Sequence, residues 1–271
     1  MKHNQMTVLL TGACGGIGQA LARQLVQAGA SIYITGRDEQ TLRKLKNELV
    51  DIAASHQMIE SQALDLQNEA DLDQWIDSLQ QQRPVNVLVN NAGVSRFELF
   101  ENQGDKDIDL IMSLNSIVPM KLTLKLLPML KQQQEARIVN IASTFGAIGF
   151  PGYSVYSASK FSMRGFSQAL SRELSDSNVH VGCFLPRATQ TAINTSNVVE
   201  LNRQMKVAMD SPQVVATSLM KFLSSHKKEL AIGWPEKFLV KLNSVFPALI
   251  CNVISKKLPL IKQFATQEMP L

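Results

Sequence analysis

Seven short apolar runs rich in β-branched residues alternate along the chain with longer stretches of helical period, and this alternation constrains the fold more than any other feature. The runs are Met6–Leu10, Ser31–Thr35, Met58–Asp65, Val85–Asn90, Arg137–Ser143, Val179–Leu185 and Glu229–Gly233. Between them lie Ile17–Ala28, Glu39–Ala54, Glu69–Gln81 and Asp107–Gln133. A strand apolar on both faces must be covered on both, and parallel strands need long crossovers to pair again. Right-handed crossovers then predict an α/β fold: a doubly wound parallel sheet of seven strands with helices on both faces. No Pro-, Gly- or Ser-rich linker and no internal repeat divides it. Residues 1–233 read as one domain, and residues 234–271 as an amphipathic C-terminal extension without a core of its own. Ligands of such sheets sit beyond the carboxyl ends of the strands, so the residues just after each strand carry the functional information.

Composition removes several alternatives. With 271 residues, 45% of them hydrophobic and 18% charged, a large core is available and global disorder is not expected. Cys14, Cys183 and Cys251 are odd in number, widely spaced and form no CxxC pair, which speaks against a disulfide scaffold and fits a reducing, cytoplasmic compartment. His3, His56, His180 and His226 show no metal-ligand spacing, so no metal is implied. The opening MKHNQMTVLL has an apolar run only one strand long and does not read as a secretory signal. Residues 227–271 hold seven of the 27 basic and three of the 23 acidic side chains, so the rest balances and the net +4 lies in the tail. That distribution argues against a nucleic-acid surface.

After the first run comes TGACGGIG, Thr11 to Gly18, followed by a helix-forming segment. Gly12, Gly16 and Gly18 supply a tight turn, room for a pyrophosphate beside the backbone and close packing of helix on strand. Unpaired amides and the dipole at the helix start favour phosphate. Gly12, Cys14, Gly16, Ile17 and Gly18 are therefore candidate dinucleotide contacts. Cys14 is either a small filler or a thiol of lowered pKa at a helix N-terminus. An NAD site needs a carboxylate after the second strand, and an NADP site a cation. The chain reads IYITGRDEQTL, with Arg37 first and Asp38 placed to cap the next helix. A guanidinium binds phosphate bidentately, which favours NADP(H).

Tyr156 and Lys160 stand four residues apart in YSASK and share a helix face. A neighbouring ammonium is expected to lower the phenol's pKa from ~10 and make it an acid–base catalyst. Tyr153 has Ser157 in the corresponding place and lacks that support. Ser143 ends the strand RIVNIAS, where its hydroxyl can hold a carbonyl oxygen beside Tyr156. Asn115, polar within an apolar helix, either satisfies buried backbone or holds a water linking Lys160 to solvent, and the two roles can coexist.

These motifs together resemble the single-domain branch of the short-chain dehydrogenase/reductase family. TGACGGIG, NNAG at Asn90–Gly93, Ser143 and YSASK agree in order and spacing, Asp65 and Asn115 match as well, and the likeness spans roughly residues 6–233. The resemblance implies a Rossmann-like, nucleotide-binding oxidoreductase. In it Tyr156 would be the general acid/base, Ser143 would orient the substrate carbonyl, Lys160 would bind the nicotinamide ribose, and Asn115 would complete a proton relay. Asp65 and Leu66 would border the adenine, Asn91, Ala92 and Gly93 would line the cofactor cleft, and Thr191 would meet the carboxamide. Gly36 falls where NAD-using relatives carry an acid and Arg37 where NADP-using ones carry a base. The chain departs from the family's Pro-Gly after the sixth strand, since LPRATQT places Arg187 at the glycine. That side chain either points outward or meets an anionic group on the cofactor or substrate. Relatives commonly form dimers or tetramers, so a homodimer or homotetramer is expected.

The segment from Ala188 to Asp210, with Ile193, Val198, Val199, Leu201, Met205 and Met209, suits either a lipophilic substrate or helix packing. Leu242 to Ser255 is free of charge for 14 residues, too short to span a bilayer and interrupted by Pro247. With its flanking lysines and Trp234, Phe238 and Phe246, the stretch 235–264 fits three roles equally: a peripheral contact with an anionic membrane, a cover over the substrate mouth, or a subunit contact. The leading expectation is an NADPH-dependent carbonyl reductase with a lipophilic substrate. The alternatives are a 3-oxoacyl thioester reductase and a non-enzymatic NADP(H) sensor or scaffold carried to membranes by its tail.

Overall fold

The computed structural model describes residues 1–266. Seven strands pair in the order β3-β2-β1-β4-β5-β6-β7, every pair parallel. They are β1 (Thr7–Thr11), β2 (Ser31–Gly36), β3 (Ile59–Ala63), β4 (Val87–Asn90), β5 (Ala136–Ile141), β6 (Val179–Leu185) and β7 (Glu229–Ala231). All seven expected runs are strands, with ends moved by a few residues. The largest trim is at Met58–Asp65, which pairs only over Ile59–Ala63; Val85–Asn90, Arg137–Ser143 and Glu229–Gly233 each lose two residues.

Each central strand is apolar on both faces, so successive residues feed two separate cores. Val8 and Leu10 of β1 point to one side, with Ile32, Ile34, Val87 and Val89. That side is covered by α1 (Gly16–Gln27), α2 (Glu39–Ile52) and α8 (Pro212–Leu223). Leu9 points the other way and meets Tyr33, Leu88 and Ile138 beneath α3 (Glu69–Gln80), α5 (Val118–Lys131) and α6 (Ser154–Glu173). Losing a fully buried leucine of either layer, such as Leu122 on α5, costs about 2–5 kcal/mol. Asp38 and Asn68 cap α2 and α3 by accepting from backbone amides three residues on.

The expected helix Asp107–Gln133 is not continuous. It comprises α4 (Asp105–Met112), a π turn over Ser113–Ile117 in which the Val118 amide bonds the Ser113 carbonyl, and then α5. By length and composition Asp105–Lys131 could cross a bilayer, yet half of its most apolar stretch is buried in this protein. α7 (Ser196–Gln204) follows β6, and after β7 the chain continues through α9 (Glu236–Val245), α10 (Pro247–Ser255) and α11 (Leu258–Thr266). Ile261 and Phe264 of α11 pack on Leu201 of α7, which fastens the extension to the segment after β6.

Candidate active site

Strand order reverses between β1 and β4, and a cleft of about 310 Å³ opens at the carboxyl ends of the strands there. The first loop is shaped by close approach. Gly12 has φ +66°, a region that side chains resist, and a methyl at Gly18 would stand 2.3 Å from the Gly12 carbonyl oxygen. A methyl at Gly16 would stand 2.7 Å from Thr191, so the segment after β6 lies against the loop. The N-cap of α1 is Gly15, with no side chain on the first amides and no acid in the first turn. Free amides at a helix start make an anion cradle, so the loop fits the pyrophosphate of a dinucleotide.

The Cys14 thiol packs against Gly36 and its pKa is raised, by burial first and by Asp38 second. It is therefore a filler, and the lowered value considered for a helix N-terminus does not arise. Arg37 is exposed past the end of β2 and enters no ion pair among the described residues. Asp38 is spent on the cap of α2, accepting from the Thr41 amide at 2.6 Å. Asp65 is exposed after β3 and accepts from the Gln67 amide, while Leu66 is buried. Across the switch point the Asn91 side chain donates to the carbonyls of Thr11 and Gly12, and Ala92 backs Gly12. Asn91, Gly93 and Ile17 all line the cleft.

The reacting groups lie on the opposite wall. Lys160 is buried beneath Tyr156, its Nζ 5.6 Å from the centre of that ring and 3.0 Å from the Ile141 carbonyl, to which it donates. Burial pulls its pKa down to about 8. Tyr156 rises to about 12, because desolvation of the hydroxyl outweighs the lowering hydrogen bond with Ser143. The drop expected from the lysine is thus absent in the protein alone: the buried ammonium is itself destabilised, and loss of water dominates both groups. Ser143 also accepts from the Phe145 amide at 3.1 Å.

Asn115 projects from the π turn and pairs with Val94 in both directions, accepting from its amide and donating to its carbonyl at 2.8 Å each. Its Nδ2 also donates to Ser159 Oγ at 3.1 Å, and that hydroxyl donates to the Tyr156 carbonyl. Asn115 therefore satisfies buried backbone as expected. It also stands beside Lys160, since a methyl at Gly93 would meet Asn115 Oδ1 at 3.0 Å and Lys160 Nζ at 3.4 Å.

Beyond the polar end the cleft is apolar. Phe145, Ile148, Phe150 and Tyr153 come from the loop and helix start after β5, none of them assigned to it from the sequence. Their signal was the aromatic spacing in TFGAIGFPGYSVY, which now appears as Phe145 and Phe150 rings stacked 5.0 Å apart with Tyr153 5.2 Å from Phe145. From 188–210, Ile193, Val198 and Leu201 reach the cleft, whereas Val199 is exposed and Met205 packs with Leu201, Ile261 and Phe264. Leu239, Ile250, Val253 and Ile254 of the extension close the far side.

Arg187 stands in the cleft wall and holds this cover. It forms a fork onto Asp210 at 2.6 and 2.9 Å, reaches Glu236 at 3.2 Å and donates to the Trp234 carbonyl at 3.0 Å. Neither expected alternative holds: the side chain is largely buried, and the anions it meets are the protein's own Asp210 and Glu236.

At the amino ends of the strands, away from the cleft, the His180 and His226 rings meet at 4.9 Å, with ligand atoms within 4.8 Å of the Glu135 carboxylate. Their sequence spacing gave no hint of this, and Glu135 is engaged by the N-terminal ammonium at 3.2 Å.

Comparison with known proteins places these features in context. The family model for short chain dehydrogenase matches residues 6–202. Nodulation protein G of Rhizobium meliloti is 34% identical over 203 residues, covering 73% of this chain and 77% of its own. The NADP-dependent 3-hydroxy acid dehydrogenase of Salmonella typhi is 34% identical over 178 residues, covering 65% of this chain and 69% of its own. Among solved structures, a short-chain dehydrogenase from Sphingobium yanoikuyae in complex with NADPH superposes with a TM-score of 0.76 at 26% identity, over 91% of this chain and 96% of that one.

Proposed function

The chain belongs to the short chain dehydrogenase family of oxidoreductases, and from that premise we propose that it transfers hydride between NADP(H) and the carbonyl or hydroxyl carbon of a lipophilic substrate. The observation that carries this reading is the half-buried Tyr156 lining the cleft directly over the buried Lys160, where the apolar cleft meets the glycine loop.

When bound, the nicotinamide supplies or accepts the hydride. The chain's own groups do the rest. Gly12, Gly16, Ile17 and Gly18, with the backbone of Cys14, would hold the pyrophosphate, Asn91, Ala92, Gly93 and Thr191 would line the nicotinamide end, and Asp65 with Leu66 would border the adenine. Arg37 would receive the 2′-phosphate, a choice supported by its having no ion pair among the described residues and by the employment of Asp38 as a cap. With its pKa near 12 Tyr156 keeps its proton at neutral pH, as the donor to a developing alkoxide must. Ser143 holds the carbonyl oxygen against it. Lys160 stays largely protonated below its pKa of about 8 and biases that proton toward the substrate. Asn115 fixes the loop at Val94 and stands where a relay past Lys160 would begin. The apolar walls exclude water, which strengthens each of these interactions.

The lysines of the extension beside the cleft favour a second substrate reading, a 3-oxoacyl thioester on an acidic carrier. Exposed Ile117 and Leu124, seven residues apart, with Phe161 nearby on α6, support contact with a second copy, and three free cysteines support a reducing cytoplasm. The exposed apolar side of the extension supports peripheral contact with a membrane.

Tyr156→Phe tests the reading. Turnover should fall at least about a thousandfold while the Kd for NADPH, followed by nicotinamide fluorescence, stays within about threefold. Unchanged turnover removes Tyr156 from its role. Arg37→Asp should shift preference away from NADPH and toward NADH by about a hundredfold in kcat/KM, the scale of losing a bidentate charged contact and adding a repulsive one. An unaltered ratio refutes the cofactor assignment.

A further inference from the structure

The α9–α10 hairpin has two apolar faces, and the described residues cover only one. On the inner side Val240 and Ile250 are each 5% exposed, Leu239 and Ile254 line the cleft, and Asn243 donates to the Ala147 carbonyl at 2.9 Å. On the outer side Trp234, Phe238, Val245, Phe246, Leu249 and Val253 are all about half exposed or more, Trp234 at 66% and Val245 at 65%. Their spacing repeats the helical period, so they form one strip rather than scattered exceptions. The Trp234 and Phe238 rings touch at 5.7 Å, and Lys237 Nζ lies 5.9 Å from the Trp234 ring.

Charge around the strip has one sign. Lys237, Lys241, Lys256 and Lys257 are exposed and enter no ion pair among the described residues. Glu236, the one carboxylate between Trp234 and Lys262, turns inward to Arg187. A second copy of the chain docked there about a twofold axis would set these four lysines against their own images. An anionic lipid surface meets both halves of the pattern, taking the aromatic and aliphatic side chains below the headgroups and the ammonium groups among them. The helices have 10 and 9 residues, too short to span, so the hairpin lies in the interface plane.

We propose that this strip docks the protein on an anionic bilayer, and that its lipophilic carbonyl substrate enters the cleft directly from that bilayer. Val253 is the junction, since it is 54% exposed on the strip and also lines the cleft. A substrate partitioned into the acyl region would pass one side chain's thickness of protein without crossing water. The inference rests on the reading of the cleft as a lipophilic carbonyl site.

The test uses the full chain and a Lys241→Glu, Lys256→Glu double variant, neither residue lying in the cleft. The first readout is flotation with vesicles of equimolar phosphatidylglycerol and phosphatidylcholine, against vesicles of phosphatidylcholine alone. The second is NADPH oxidation with a short water-soluble ketone and with a long-chain ketone dissolved in the vesicles. The protein should float with the anionic vesicles only and release in high salt. The variant should bind them at least about twentyfold less, on the basis of roughly fivefold per lysine. It should keep full activity on the soluble ketone and lose about tenfold on the vesicle-borne one.

Absence of flotation with normal turnover of both ketones overturns the docking surface and leaves the carbonyl-reductase reading standing. Flotation without turnover of either ketone supports the surface and overturns that reading instead. No flotation, together with a dimer that the double variant dissociates in sedimentation equilibrium, overturns the bilayer in favour of a second copy.

Discussion

Loss of water sets the protonation of the two residues on which the chemistry turns. Lys160 titrates near 10.5 in an unfolded chain and at about 8 when folded. Between those values the unfolded state binds more protons, so stability rises with pH across that window and the burial penalty is fully present below it. Full relief amounts to about 3 kcal/mol, at roughly 1.4 kcal/mol per tenfold change in proton affinity. Lys160→Met removes the dependence. In denaturant titrations near neutrality the variant should be the more stable, and its lead should shrink by about 2–3 kcal/mol near pH ~10. A lead that stays constant would show the lysine keeping its ordinary pKa in the fold. Tyr156 acts in the opposite sense and at higher pH: with its pKa raised from 10 to about 12, the stability it contributes is lost between those values. Buried Cys183, raised from 9.0 to about 12, acts in the same sense as Tyr156 from pH ~9 upward, so the difference between wild type and Lys160→Met, rather than either curve alone, reports the lysine. Sequence spacing brought Tyr156 and Lys160 together correctly, yet it could not tell whether attraction or desolvation would govern them, because burial belongs to the surrounding walls.

The central strands were legible because each is an apolar run that can only lie between two layers of helices, whereas the edge strand β3, IESQA, carries polar residues and was read over too long a span. The interruption in the long central helix was not legible. Ser113–Ile117 reads as ordinary helix, and the widening there arises from Asn115 pairing with both backbone groups of Val94, a partner 21 residues away. Local propensity carries no record of such a contact, and a π turn at a functional side chain is where local rules give way. The aromatic wall of Phe145, Phe150 and Tyr153 was missed for a different reason: its spacing is visible in TFGAIGFPGYSVY, but only the fold shows that the loop after β5 turns back over the cleft. The extension is intermediate. Its amphipathic spacing was plain, but three uses fitted it, and assigning its inner face to the cleft required the positions of Leu239, Ile250 and Ile254.

At the scale of the whole molecule, one residue that departs from the family pattern joins the two regions. Arg187 leaves the end of β6 and binds Asp210 before α8 and Glu236 at the start of α9, with its side chain only 14% exposed. Replacing it with glutamine would leave two carboxylates facing each other with no cation between them, a change that costs about 2–4 kcal/mol in a partly exposed setting. The cost should fall on the seating of residues 234–266, because neither core layer of the sheet includes them. Local opening that becomes easier by 2 kcal/mol is roughly 30-fold more populated, and proteolysis in the fast-reclosing regime reports that population directly. In limited proteolysis of Arg187→Gln, cleavage within 234–266 should therefore accelerate by at least about an order of magnitude, while cleavage in the sheet and NADPH affinity stay near wild type. Equal cutting rates in the two proteins would mean that apolar packing of Val240, Ile250, Ile261 and Phe264 alone seats the extension, and that the arginine adds nothing to it.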